Sequence, residues 1–231
     1  MTVKIIKAIA TESCCYKTNK PLSPVGIVVH STGANNPNLS RYCNNAAELG
    51  ENRYKNFWGT GTYAEQANRG IPHAAIGYDI NKNIAISQVL PFNIRCWGCG
   101  SGVNGSYNVS HIQFEICEDN LANEEYFNQC FELAADFCVE LMKAYPAIKI
   151  KNIVSHKEAA AAGYASNHGD PENWLTKYGK NMEWFREKVE SKLEPETVYR
   201  VQVGAFKILS NAEKMRDELI SKNYQAFIVR G

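Results

Sequence analysis

The chain has 231 residues, 45% of them hydrophobic and 21% charged, with a formal net charge of +1. That hydrophobic share suffices for a buried core, and the length suits one main domain with an appendage. A near-neutral balance gives no footing for nucleic acid, whose partners carry a strongly basic face, and no apolar run reaches the roughly 18–20 residues that cross a bilayer, so neither nucleic acid nor membrane insertion is expected. The N-terminal "MTVKIIKAIATESCC" has only a very short apolar stretch before polar residues and two cysteines. This does not fit a secretory signal peptide, and synthesis as a cytoplasmic species is expected.

Strand and helix signals alternate along the chain. "PVGIVVHST" is a β-branched run closed by polar residues and predicts a buried strand. "NNPNLSRYCNNAAELGENRY" is polar and Asn-rich, a long loop with one helical piece at most. "PHAAIGYDINKNIAISQVLP" predicts a hairpin with its bend at Asn81, Lys82 and Asn83. "SHIQFEICED" predicts a further strand. "NEEYFNQCFELAADFCVELMKAY" places Phe127, Phe131, Ala134, Phe137, Cys138 and Leu141 at helical spacing and stops before Pro146, so a helix is expected there. "IKIKNIVSH" reads as a strand running into a helix start, and "GKNMEWFREKVESKL" as an amphipathic helix. Strands mixed with helices give an α/β class, with a central mixed sheet flanked by helices.

The composition changes near residue 194. "EPET" reads as a linker, followed by the alternating strand "VYRVQVGAF", the helical "NAEKMRDELISK" and a last strand, "QAFIVR". The boundaries expected are a main domain over residues 1–193 and a small β-α-β half-module over residues 194–231. Alone, that half-module leaves strand edges unpaired and has little to bury, so it is too small to be stable by itself.

There are eight cysteines. An even count signals a disulfide framework in short secreted chains. Here most lie in apolar runs such as "YFNQCFELAADFCVELM" and read as small buried hydrophobes. Cys96 and Cys99 form a single CxxC, too little for a zinc signature without a second pair, and are expected to be reduced loop thiols.

Candidate chemistry concentrates in "IVSHKEAAAAGYASNHGDPENW", which holds two of the five histidines. His30 ends a strand, His156 follows one, and Asp170 lies in the loop beyond. Two imidazoles and a carboxylate can form a zinc site in which three protein ligands leave a fourth position open for catalysis. Each residue also has a plain structural reading. Ser155, His156, Lys157 and Glu158 fit a capping box, which would make His156 the first residue of a helix. Asp170 before Pro171 fits an N-cap. Glu115 sits among Ile112, Phe114, Ile116 and Cys117, where a carboxylate is costly unless paired or used for chemistry. The alternative is a glutamate on the solvated face of an edge strand. By period-two alternation, His111, Gln113 and Glu115 share a face, all toward one cleft or all toward water.

The motifs "VGIVVHSTG", "PHAAIGYDI", "HIQFEICED" and "IVSHKEA…SNHGDPENW" occur in that order. In them, residues 4–193 resemble the zinc-dependent N-acetylmuramoyl-L-alanine amidases of the amidase-2 and peptidoglycan-recognition type, in particular clostridial and phage endolysins. The resemblance implies Zn2+ held by His30, His156 and Asp170, with Glu115 as the catalytic carboxylate. Many relatives carry a lysine two positions before the third ligand. Here His168 occupies that position and is implied to stabilise the oxyanion, its charge depending on pH as a lysine's does not. The resemblance also implies His73 as a residue lining the substrate cleft.

The implied reaction is hydrolysis of the amide between N-acetylmuramic acid and L-alanine in bacterial peptidoglycan. Zinc would polarise the water and the carbonyl, and Glu115 would carry the proton to the leaving amine. A holin-type or lytic release to the cell wall fits a chain without a signal peptide. The tail resembles the first half of a SPOR domain, a module that binds denuded glycan strands, and two such halves could complete one sheet in a homodimer. Two rival readings stand beside this one. The first is a non-catalytic peptidoglycan-binding protein of the same fold, which the three competent ligand positions disfavour. The second is a zinc amidohydrolase cutting elsewhere in the stem peptide.

Overall fold

Six strands form one sheet in the order β1-β4-β3-β5-β2-β6. The strands are β1 (Ile5–Lys7), β2 (Gly26–Ser31), β3 (Ala74–Tyr78), β4 (Ile84–Gln88), β5 (His111–Ile116) and β6 (Ile153–Ser155). The structure, a computed structural model, describes residues 3–43, 46–52, 58, 70–119, 123–193 and 201–230. It divides into two units, Met1–Glu194 and Pro195–Gly231. In the first unit β3 and β4 pair antiparallel as the predicted hairpin, and every other ladder is parallel. The sheet is therefore mixed. Lys82 takes φ 64° in the hairpin bend, and the Asp79 carboxylate accepts the Asn81 and Asn83 N–H groups to close it.

The helices among the described residues are α1 (Cys14–Thr18), α2 (Glu124–Ala144), α3 (His156–Ala161), α4 (Glu172–Leu175), α5 (Met182–Leu193) and α6 (Leu209–Ser221). Alternation sorts β2 and β5 into two faces. Ile27, Val29, Ile112, Phe114 and Ile116 point to one side, where the apolar stripe of α2 meets α5 and Trp174. Phe127, Phe131, Phe185 and Trp174 are fully buried there and pack ring against ring. Burying such aromatic rings is the main source of stability on this face. The opposite face carries Val28, His30, Gln113 and Glu115.

β1 was not signalled by the sequence, because three residues are too few to show a period. It forms because β4 would otherwise be an open edge, and Ile5, Ile6 and Lys7 pair with Ile86, Ser87 and Gln88. The Asn-rich loop holds two short 3-10 turns, Leu39–Arg41 and Ala47–Leu49, and its Asn44, Asn45, Arg53 and Tyr54 lie outside the described residues. Cys43, Cys96, Cys99, Cys117, Cys130 and Cys138 are free thiols, and the loop thiols Cys96 and Cys99 are both buried.

In the second unit the expected strands are not seen among the described residues. Residues 201–206 and 224–230 are irregular, and only α6 is regular. The linker and the start of the first expected strand, residues 194–200, lie outside the described residues. A lone parallel pair has no third strand and no opposing layer, and two strands by themselves are marginal in water. Val201, Val203, Phe227 and Val229 are correspondingly exposed.

Candidate active site

Three parallel strands bring the site together. In register, His30 on β2 stands beside Glu115 on β5. On the other side Val29 pairs with Ser155, so the next residue along, His156, stands level with His30. The carboxyl ends of adjacent parallel strands are where ligands bind in open α/β sheets.

His156 is delivered by a helix start. Ser155 caps α3: its hydroxyl accepts the Glu158 N–H at 2.9 Å, and the Glu158 carboxylate accepts the Ser155 N–H at 3.0 Å. Arg186 of α5 then grips Glu158 with two N–H donors at 3.0 and 3.1 Å, and also donates to the Ile153 carbonyl at 3.1 Å. The capping box and the site are thus compatible, since the cap fixes the turn from which His156 projects. Asp170 differs from its N-cap expectation. Pro171 is the residue preceding α4, with no side-chain cap. The Asp170 carboxylate turns instead toward both histidines.

Asp170 Oδ2 lies 3.1 Å from His30 Nδ1 and Oδ1 lies 3.4 Å from His156 Nδ1. The two Nδ1 atoms are 3.1 Å apart. One ligand atom from each of the three residues falls within 4.8 Å of the others. The Nε2 atoms point away, His30 to Gln113 Oε1 at 3.0 Å and His156 to Ser166 Oγ at 3.3 Å. Burial opposes ionisation of Asp170, but the histidines outweigh it and hold the carboxyl well below its usual range. Burial likewise works against the His30 imidazolium, yet Asp170 and Glu115 raise its pKa above the ordinary value. Two buried imidazoles and a carboxylate, with Nδ1 of each ring turned inward and Nε2 turned outward to a polar side chain, fit the donor set of a three-ligand zinc site.

Glu115 is on an interior strand, between β3 and β2, so the solvated-edge alternative does not hold. Its Oε2 is buried and has no hydrogen-bond partner among the described residues. Burial pushes its pKa up to about 7, against the pull of His30. A carboxyl that changes protonation near neutrality is suited to carrying protons.

His168 is exposed at the rim. Its ring centre is 4.6 Å from that of His156, and its Nδ1 is 3.0 Å from Ser166 Oγ. His73 lies elsewhere. It is fully buried, with Nδ1 accepting the Gln113 N–H at 3.0 Å and Nε2 donating to the Ile94 carbonyl at 2.9 Å. Both ring nitrogens are consumed by backbone and none is left for a substrate, so the cleft-lining expectation gives way to a structural one. Burial lowers its pKa to about 4. Of the three residues sharing a face on β5, Gln113 and Glu115 border the site. His111 is buried under the stacked ring of Tyr107, 3.8 Å away.

Sequence reading missed Asn108 and Ser166, polar loop residues with no motif of their own. It placed Gln113 on the right face but gave it no task.

A family profile described as N-acetylmuramoyl-L-alanine amidase matches residues 20–173, and one described as SPOR domain matches residues 195–231. Among solved structures, that of PlyL superposes with a TM-score of 0.54 at 21% identity, covering 82% of this chain and 97% of that one. The PlyG catalytic domain in solution gives 0.56 at 22% identity, covering 86% of this chain and all of that one, 100%. The Staphylococcus aureus hydrolase AmiA, solved in complex with its ligand, gives 0.56 at 15% identity, covering 84% and 85%. At these identities the likeness establishes the fold. No curated protein matches by sequence.

Proposed function

Because this chain belongs to the N-acetylmuramoyl-L-alanine amidase family, enzymes that hydrolyse the amide between N-acetylmuramic acid and L-alanine in peptidoglycan, we propose that His30, His156 and Asp170 hold one zinc ion and that Glu115 is the general base. The observation that carries this reading is the meeting of three ligand atoms within 4.8 Å, beside a buried carboxylate oxygen that has no other described partner. When bound, zinc supplies a Lewis acid that polarises a carbonyl and brings the pKa of water to about 7.

The protein's own residues do the rest. Glu115, with its pKa near 7, takes a proton from the attacking water and releases it to the departing amine of L-alanine. The buried sheet face behind it keeps bulk water from competing for that proton. His168, exposed at the rim beside His156, donates a hydrogen bond to the developing oxyanion. His168→Ala is expected to lower kcat with zinc content unchanged.

A non-catalytic peptidoglycan binder of the same fold would have no use for a glutamate whose buried Oε2 has no partner among the described residues. Metal analysis combined with mass spectrometry of digested cell wall tests the reading. One zinc per chain with new L-alanine amino termini is expected. A metal-free chain, or a different new terminus, would overturn it.

For the second unit, which matches the SPOR domain profile, we propose a hold on denuded glycan close to where the amidase makes it. Its exposed apolar side chains would be covered by a second copy in a homodimer. A strictly monomeric mass in solution would sink the dimer.

A further inference from the structure

We propose that Gln113 is a positioning residue which, together with Asn108, fixes the His30 ring as its Nε2–H tautomer and so aims a lone pair from Nδ1 at the metal. The inference rests on the zinc reading for its consequence but not for its geometry.

The reasoning starts from backbone, where donor and acceptor are not in question. The Gly98 and Cys99 N–H groups both point at Asn108 Oδ1, at 3.0 and 3.1 Å. The other end of that amide, Nδ2, lies 3.0 Å from the Gly100 carbonyl. N–H groups can only donate and a carbonyl can only accept, so the orientation of Asn108 is settled. Asn108 Oδ1 is in turn 2.9 Å from the Gln113 amide nitrogen, which must therefore be its NH2 end. The same nitrogen faces the Cys99 sulfur at 3.4 Å. Gln113 Oε1 is then left for His30 Nε2 at 3.0 Å. An oxygen that only accepts requires a ring nitrogen that donates. Nε2 therefore keeps its proton, and Nδ1, 3.1 Å from Asp170 Oδ2, is the nitrogen that turns a lone pair on a metal once it gives up the proton it shares with that carboxylate.

Every member of this relay is buried: His30 and Asn108 nearly so, Gln113 completely. Water cannot replace a lost partner there, which is what gives such a chain its directional force. The loop is built to fit it. A Cβ on Gly98 would stand 2.3 Å from Gln113 Oε1, so a side chain at position 98 would displace the acceptor that His30 needs. The "CWGCGSG" loop, with Cys96 and Cys99 buried, thus reads as the far end of a relay to the metal site. Hydrogen-bonded partners behind a metal-ligating histidine fix its tautomer, and their loss weakens metal binding by about 10–100-fold.

Nitrogen-labelled histidine in the full chain, read by long-range proton–nitrogen correlation at mildly alkaline pH, gives the His30 tautomer with and without zinc. The expected result is Nε2–H in both states. Gln113→Leu should weaken zinc affinity by about 10–100-fold against a competing chelator. An Nδ1–H tautomer in the zinc-free wild type would overturn the proposal, as would wild-type zinc affinity in folded Gln113→Leu. If Gln113→Leu does not fold, the wild-type tautomer decides. A wild type that binds no zinc yet shows Nε2–H would remove the metal reading while upholding this one.

Discussion

His30 and Glu115 face each other across the parallel β2–β5 ladder, one inward nitrogen beside one buried carboxyl. The register makes them neighbours on the same face, and each changes the other's proton affinity. Burial lifts Glu115 to about 7 while His30 pulls it down, and Glu115 helps to hold the His30 proton. A base whose pKa sits near working pH is a better proton carrier than one at the usual carboxylate value.

Glu115→Gln keeps the shape and removes the base. Hydrolysis of purified peptidoglycan should fall by about a hundred- to ten-thousand-fold, while zinc stays near one per chain. Release of new L-alanine amino termini measures the first, metal analysis the second. Undiminished turnover would remove Glu115 from the reaction.

Asp170→Ala removes the third ligand and leaves two buried imidazoles facing each other at 3.1 Å. Zinc should be lost. In the wild type a chelator should lower the Tm, because an ion bound only by the folded state stabilises it. In Asp170→Ala the chelator should have no effect. An equal chelator-induced shift in both proteins would place the metal elsewhere.

His73 and His111 have folded-state pKa values lowered to about 4 by burial, below the 6.5 of an ordinary histidine. Between those values the unfolded chain binds more protons than the folded one. Their contribution is fully present above about pH 6.5 and is lost as pH falls toward 4, at a cost on the order of 3 kcal/mol for each histidine. The urea midpoint should therefore drop across this window. His73→Gln should be less stable at neutral pH but should lose less stability on acidification. An identical slope in the variant would dismiss the linkage.

Arg186→Met breaks the paired hydrogen bonds to Glu158 and the one to the Ile153 carbonyl. The expected cost is about 1–3 kcal/mol, since bonds to a charged group are worth more than neutral ones. The turn that projects His156 should also loosen, so zinc affinity should fall alongside the urea midpoint. A variant less stable but with unchanged zinc affinity would separate the two effects.

Much of this protein was legible in one dimension. Apolar spacing placed α2 and α5, β-branched runs placed β2 and β5, and turn residues placed the β3–β4 hairpin, because each pattern reports local geometry with a short period. The order of four motifs pointed to the family, and with it to His30, His156, Asp170 and Glu115. Other features depended on contacts between segments far apart in sequence. β1 exists only as the partner of β4, and the tail strands, lacking partners, are not formed among the described residues. Whether Asp170 caps a helix or faces two histidines was undecidable from "HGDP", since the same carboxylate suits both. The tertiary structure chose the second by stacking the ends of β5, β2 and β6 side by side. It also gave His73 and His30 different surroundings. One has both nitrogens occupied by backbone, and the other keeps one nitrogen turned inward. A residue's type fixes which bonds it can make; only the packed neighbours determine which of them it has left to offer.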